Sequence, residues 1–331
     1  MRWIQHIQRA IRATLSALAA SHQATASIGI AYYDPDCQDK FPARPGDMLR
    51  MAELAVRSAK ASGGGRLAFY DAETSRHAED ALQLEQDLGE ALERAELYVV
   101  LQAQVAPGGL LAGAEALLRW QHATRGAISP GQFIPLAEDT GQIVQIGAWV
   151  LEQALETLAV MQRHDPDLTV SVNVSPVQIL RAEFIDEVAV QLERTAVDPS
   201  GLILEITENV FMDEPHLAGE QLGALRALGI KISIDDFGTG YSSLTYLKRL
   251  PVHELKIDQS FIKGLPDDAA DSALVKIILS AAVELKLRVV AEGVELPSQA
   301  QFFEKLPNVF LQGFLFDRPI AVNQWYERWL Q

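Results

Sequence analysis

The sequence predicts an α/β fold, a TIM-type (β/α)8 barrel with an antiparallel first strand, preceded by a small partial α+β module. Three observations predict it. From Glu96 onward, eight short runs rich in β-branched residues alternate with helical stretches over roughly 235 residues, the spacing of an eight-stranded barrel. Seven of the runs carry a polar or charged residue near the C-terminal end, where barrel strands converge on one face. The charge is also unevenly spread: residues 1–85 hold ten Lys+Arg and ten Asp+Glu, so the whole formal charge of −16 lies beyond them. That shift marks a boundary, and the expected division is a partial module over 1–75, a connector helix over 76–95 and the barrel over 96–331.

The first element is an amphipathic helix, with Trp3, Ile4, Ile7, Ile11, Leu15 and Leu18 on one face. Arg2, Arg9 and Arg12 ahead of its short apolar stretch only weakly imitate a signal peptide. Ala26–Tyr33 reads as a strand, and a helix follows on Met48, Leu49, Met51, Ala52, Leu54, Ala55 and Ala59. Gly63-Gly64-Gly65 then turns the chain into a short strand over Arg66–Tyr70. No Lys-Ser/Thr and no helix follow those glycines, so they read as a turn and not as a phosphate cradle. Ala26–Tyr33 and Ala52–Lys60 resemble the corresponding strand and helix in the C-terminal half of a GGDEF diguanylate cyclase domain. The Gly-Gly-Asp/Glu-Glu-Phe loop of that family is missing from the chain, so the resemblance implies a truncated or degenerate module without cyclase activity. A connector helix then runs from about Ser75 to Ala95 on Leu82, Leu84, Leu88 and Leu92.

The barrel runs are Leu97–Val105, Leu110–Trp120, Leu168–Val174, Leu202–Thr207, Ile230–Asp236, Glu254–Asp258, Leu287–Glu292 and Val309–Phe314. Helical patterns over Gln142–His164, Phe184–Thr195, Glu214–Leu228, Asp271–Leu285 and Pro297–Leu306 separate most of them. Only Ala106–Gly109 joins the first two runs, too short for a crossover helix, so these two form an antiparallel hairpin.

Composition narrows the function. A chain of 331 residues with 48% hydrophobic content and a mean hydropathy of +0.05 can bury a sizeable core. Cys37 is the single cysteine, which excludes internal disulfides and cysteine-rich zinc sites. A pI near 4.9 argues against a nucleic-acid polymer as partner, though not against a small anionic ligand held through metal ions. No uncharged apolar run approaches the roughly 20 residues that span a bilayer, so the expectation is a cytoplasmic chain without membrane contact of its own.

The polar residues that interrupt the runs are Glu115, Asn173, Glu205, Asp235, Lys256, Glu292 and Gln312. Each alone could be a fold-supporting ion pair; seven on seven strands point to one site. Its donors are carboxylates and amides, without His-x-x-x-His or cysteine pairs, which favours magnesium or manganese over zinc. Adjacent Asp235 and Asp236 can bridge one ion and reach a second, as two-metal phosphoryl chemistry requires. Lys256 can position an attacking water beside that anionic centre.

At these residues the chain resembles the EAL family of cyclic di-GMP phosphodiesterases. Glu115-Ala116-Leu117 carries the signature. In family order, Ser171–Ser175, Leu204–Glu208, Asp235–Leu244, Leu255–Asp258, Ala291–Glu295 and Gln312–Phe314 extend it, with Phe133–Glu138 between, over about residues 80–325. The resemblance implies that Glu115, Asn173, Glu205 and Asp235 hold one metal, and that Asp235 and Asp236, with Glu292, serve a second. Lys256 matches the contact to the catalytic water, Glu292 a base or second-metal ligand, and Asp258 a residue supporting the lysine. Gln102, Leu118, Arg119, Asp236 and Gln312 match substrate contacts, and Glu208 anchors the loop Phe237–Leu244, which in the family reaches a dimer interface.

The implied chemistry is hydrolysis of cyclic di-GMP to linear pGpG by two Mg2+ or Mn2+ ions roughly 3.5–4 Å apart, with Ca2+ inhibitory. A homodimer through the barrel is implied as well. The family's Tyr-Gln-Pro on the first strand is Leu101-Gln102-Ala103 here, keeping only the glutamine. The competing reading is a catalytically weak EAL domain acting as a cyclic di-GMP receptor. A phosphodiesterase for another nucleotide fits the metals but not the full motif set.

Overall fold

Short strands need partners, and in the computed structural model each predicted run finds them. The structure describes residues 26–31, 45–61, 65–70, 72–207, 210, 215–238, 250–306 and 308–331. The expected N-terminal amphipathic helix, Tyr32, Tyr33, Gly63, Gly64 and Glu208 lie outside them. The chain forms two compact units, divided between Asp87 and Leu88.

In the first unit, β1 (Ile28–Ile30) and β2 (Leu67–Phe69) pair in parallel, with α1 (Pro45–Ala61) between them in sequence. Met51, Leu54, Ala55 and Ala59 form the buried stripe of α1. Gly29 permits the helix to lie directly on the strand, because a Cβ there would stand 2.1 Å from the carbonyl oxygen of Ala52. The next helix, α2 (Ala72–Glu90), stops short of the expected Ala95. Ala95 adopts a left-handed φ of 53°, and the amide of Glu96 returns to the carbonyl of Ala91, so the chain turns there.

In the second unit, β3 (Leu97–Val105) and β4 (Leu111–His122) form the expected antiparallel hairpin. Parallel strands β6 (Thr169–Asn173), β7 (Leu202–Thr207), β8 (Lys231–Phe237), β9 (Glu254–Ile257), β10 (Arg288–Ala291) and β11 (Val309–Leu311) follow around the ring from β4. Strand β11 then meets β3 antiparallel, which closes an eight-stranded barrel. Two further short strands lack a pattern in sequence: β5 (Gly126–Ile128) pairs antiparallel with the end of β4, and β12 (Ile320–Ala321) pairs with β3.

Helices cover the barrel. The longest among the described residues, Ile143–His164, is long and apolar enough to cross a membrane by length and composition. Here it packs on β6 with nine buried residues, among them Leu151, Ala154, Leu155 and Leu158. The parallel direction of β4 and β6–β11 brings their C-terminal ends to one face, where the site lies. Gly313 lets the loops after β10 and β11 close on each other there, since a Cβ would meet the Val294 carbonyl oxygen at 2.1 Å.

Candidate active site

Inward-facing positions on consecutive strands bring seven polar side chains together. Register sets Gln102 opposite Glu115 and Asn173 beside Glu205, while Asp235 follows one pleat further on. Lys256, on β9, is the hub. It is 1% exposed, and its Nζ lies 2.7 Å from Glu205 Oε2, 2.7 Å from Glu292 Oε1, and 3.4 Å from both Glu115 Oε2 and Asp235 Oδ1. Burial disfavours the ammonium, but these four carboxylates outweigh it and hold Lys256 charged, well above its ordinary range.

Asp235 and Asp236 would face opposite sides of a regular strand. A bulge prevents this: three steps on β8, from Ile234 to Phe237, match two on β9, from Leu255 to Ile257. Asp236 takes the left-handed conformation, φ 54°, within the bulge, and its amide donates to Asp235 Oδ1 at 2.9 Å. As a result Asp235, Asp236 and Glu292 each place a carboxylate oxygen within 4.8 Å of the others.

The electrostatics divide the carboxylates. Burial raises Glu115, but Lys256 and hydrogen bonds from Gln312 and Asn173 overcome it and hold the group below its usual range. Glu205 is pushed well up by burial and by the Glu115 charge, and Glu292 is raised to about 7, by burial first. Burial and the neighbouring Asp235 and Asp258 charges also raise Asp236.

Five carboxylates against one ammonium leave an excess of four negative charges when all are ionised. Oε1 of Glu205, in a side chain 1% exposed, has no hydrogen-bond partner. Asn173 Nδ2 donates to Glu115 Oε1 at 2.7 Å, which turns the amide oxygen free for another role. An all-oxygen set with surplus charge and an orphaned buried oxygen fits hard divalent cations. Beside it opens a cleft of about 320 Å³, lined among others by Gln102, Leu117, Arg119, Gln259, Gln312 and Phe314.

The sequence profile described as the EAL domain matches residues 85–319, most of the chain and the whole site. The chain belongs to the EAL family. It is 44% identical over 302 residues to the bifunctional diguanylate cyclase/cyclic di-GMP phosphodiesterase MucR of Pseudomonas aeruginosa, covering 91% of this chain and 43% of MucR. It is 38% identical over 303 residues to the cyclic di-GMP phosphodiesterase NbdA of the same organism, covering 90% of this chain and 38% of NbdA. The chain thus spans less than half the length of these curated relatives. Among solved structures, the PaMucR phosphodiesterase in complex with c-di-GMP aligns with a TM-score of 0.70 and 48% identity, over 73% of this chain and 99% of that one. EAL domains are metal-dependent, and the acidic group here provides such a place.

The EAL triplet itself lies on β4, within the strand and not at its end, because β4 runs on to pair with β5. Glu115, Leu117 and Arg119 share the cleft face at period two. Leu118, expected among the substrate contacts, therefore falls on the opposite face, and Leu117 lines the cleft instead. Asp258 does not touch Lys256 through a hydrogen bond; its Oδ1 accepts from the amide of Ser260 at 3.0 Å and caps the short helix Gln259–Ile262. Glu292 and Gln312 sit one residue beyond β10 and β11.

Leu117, Gln259 and Phe314 line the cleft without being among the substrate contacts expected from the sequence, and a buried residue behind it escapes notice there as well. Gln104, fully buried and two residues from Gln102 on the same face, donates to Gln312 Oε1 at 3.1 Å. Its period-two spacing from Gln102 was the available signal. Glu138, in the helix Pro130–Thr140, accepts from the Ser175 hydroxyl at 2.6 Å and braces the turn after Asn173.

Proposed function

We propose that the chain is a metal-dependent phosphodiesterase that hydrolyses cyclic di-GMP to linear pGpG. The observation that carries this reading is the Lys256-centred group of carboxylates beside an open cleft, on the barrel face where strand ends converge. The 48% identical PaMucR structure, a complex with c-di-GMP, supports the choice of substrate. Glu115, Asn173, Glu205 and Asp235 would hold one magnesium or manganese ion, and Asp235, Asp236 and Glu292 a second. Two such ions supply the Lewis acidity that lowers the pKa of a water and offsets charge on the attacked phosphate.

The chain's own side chains do the rest. Lys256 holds four carboxylates in register and offsets one of their charges. Glu292, raised to about 7 without metal, would give up its proton on serving as a metal ligand. Arg119, on the cleft rim, offers a planar fork of donors to a phosphate oxygen. The N-terminal unit is read as the remnant of a GGDEF module without cyclase activity, joined by a connector helix to the barrel over 96–331. Glu208 and the loop after Asp236 are read as the route to a homodimer interface, which sedimentation velocity would test.

Incubating the chain with cyclic di-GMP and Mg2+ or Mn2+, and separating products by chromatography, tests the reading. The expected result is pGpG, lost in Glu115→Ala and suppressed when Ca2+ replaces Mg2+. Tight binding of cyclic di-GMP without product would replace the enzyme with a receptor.

A further inference from the structure

We infer that Gln104 is a positioning residue: its amide fixes the orientation of Gln312, and through it the Glu115 carboxylate. The inference rests on the proposed function of the site and concerns a residue that does not line the cleft.

The argument is one of donors and acceptors. Both Glu115 oxygens accept, Oε1 from Asn173 Nδ2 at 2.7 Å and Oε2 from Gln312 Nε2 at 2.6 Å. Gln312 Nε2 donates to Glu115 Oε2 at 2.6 Å and to Gln102 Oε1 at 3.1 Å, so both amide hydrogens are committed. Gln312 Oε1 must then face the other way, and there it meets Gln104 Nε2 at 3.1 Å. Gln102 is fixed in turn, because its Oε1 accepts from Gln312 and its Nε2 donates to the Asp317 carbonyl at 3.2 Å. Gln104, Gln312, Glu115 and Gln102 are at most 8% exposed, so water offers little alternative. With the amides of Gln312 and Asn173 on separate oxygens, the Glu115 carboxylate is pinned at both ends.

Gln104 contributes to this at a cost to itself. Its Oε1 is buried with no hydrogen-bond partner. An amide that leaves one end unsatisfied is a poor choice for stability alone, and a methionine of similar shape would remove the orphan. What methionine cannot supply is the donor that Gln312 Oε1 needs. Gln312 Oε1 would then be buried without its donor, and only the two Nε2 contacts, to Glu115 and Gln102, would still hold the amide in place.

The test combines Gln104→Met and Gln104→Glu with a Gln312→Met background. Mn2+ affinity of the metal-stripped chain is read by calorimetry, melting temperature by circular dichroism, and kcat and KM by pGpG release. Partners that orient metal ligands are worth about 10–100-fold in affinity, and this one acts a step further out. Gln104→Met is therefore expected to weaken Mn2+ binding about 3–10-fold and lower kcat, with KM little changed and the melting temperature equal or higher. Gln104→Glu, which sets an acceptor against Gln312 Oε1, is expected to cost more, at least about 10-fold. Both effects should vanish when Gln312 is already methionine, since the coupling runs through that residue.

A Gln104→Met chain that binds Mn2+ and turns over as the wild type does overturns the inference while leaving the proposed function intact. So does an effect that persists undiminished in the Gln312→Met background. A wild-type chain that binds no Mn2+ overturns both together.

Discussion

Replacing Lys256 by methionine removes the one positive charge in the carboxylate cluster and keeps most of the volume. At an effective dielectric constant near 20, each 2.7 Å contact to Glu205 or Glu292 is about 6 kcal/mol of gross attraction, so the carboxylates cannot remain as they are. They respond by taking up protons. In the wild-type chain Glu115 lies below its ordinary 4.5, because Lys256 and two hydrogen bonds overcome burial. Without Lys256, burial, the largest influence on Glu115, is expected to carry it above its ordinary value.

The sign then reverses. A depressed carboxyl adds stability above its unfolded pKa, whereas a raised one carries stability that is present below about 4.5 and lost as pH climbs. Each pH unit in that window costs about 1.4 kcal/mol, so the loss at Glu115 is small near pH 5 and grows as pH rises. Glu292, already raised to about 7, adds only about 1 kcal/mol more at pH 8. Urea unfolding of metal-free Lys256→Met, followed by tryptophan fluorescence, should thus show a greater loss at pH 8 than at pH 5, by at least the roughly 1.4 kcal/mol of one pH unit. An equal loss at the two pH values, or a smaller one at pH 8, refutes the reasoning.

Three further expectations follow from the same geometry. Mn2+ must displace the proton that Glu292 holds below about 7, so affinity measured by calorimetry should rise up to about tenfold per pH unit toward 7 and then level. A flat profile below 7 contradicts this. Asp236 sits at φ 54°, which asparagine tolerates and valine does not. Asp236→Asn should keep its melting temperature but lose metal affinity, whereas Asp236→Val should also lose about 1–2 kcal/mol in urea titrations. Arg119→Ala should raise KM for cyclic di-GMP about 10–100-fold with a smaller change in kcat, the loss of one charge-assisted contact to phosphate; an unchanged KM removes Arg119 from the cleft.

Much of the barrel was legible because β-branched runs at short spacing leave few alternatives, and the eight runs expected became the eight strands of the ring. The Ala106–Gly109 linker gave the direction of the first strand, since no crossover fits in four residues. Lys256 and its carboxylates were legible for a related reason: a charge ending an apolar run has to be placed somewhere, and strand ends share one face. What escaped depended on phase or on distance. Leu118 came in with the family resemblance, yet a strand alternates, and Leu117 is the one that lines the cleft. The bulge that turns Asp236 beside Asp235 is a backbone event on one strand, and the dipeptide does not announce it. Gln104 meets Gln312 across 208 residues of chain, a contact that only the closed barrel creates.

The central claim is that this site delivers water to a phosphodiester of cyclic di-GMP. The direct measurement is the mass of the product formed in oxygen-18 water with Mn2+ or Mg2+. The account predicts pGpG carrying one labelled oxygen on its terminal phosphate, absent from Glu115→Ala. Unlabelled product, or cyclic di-GMP recovered intact, would contradict it.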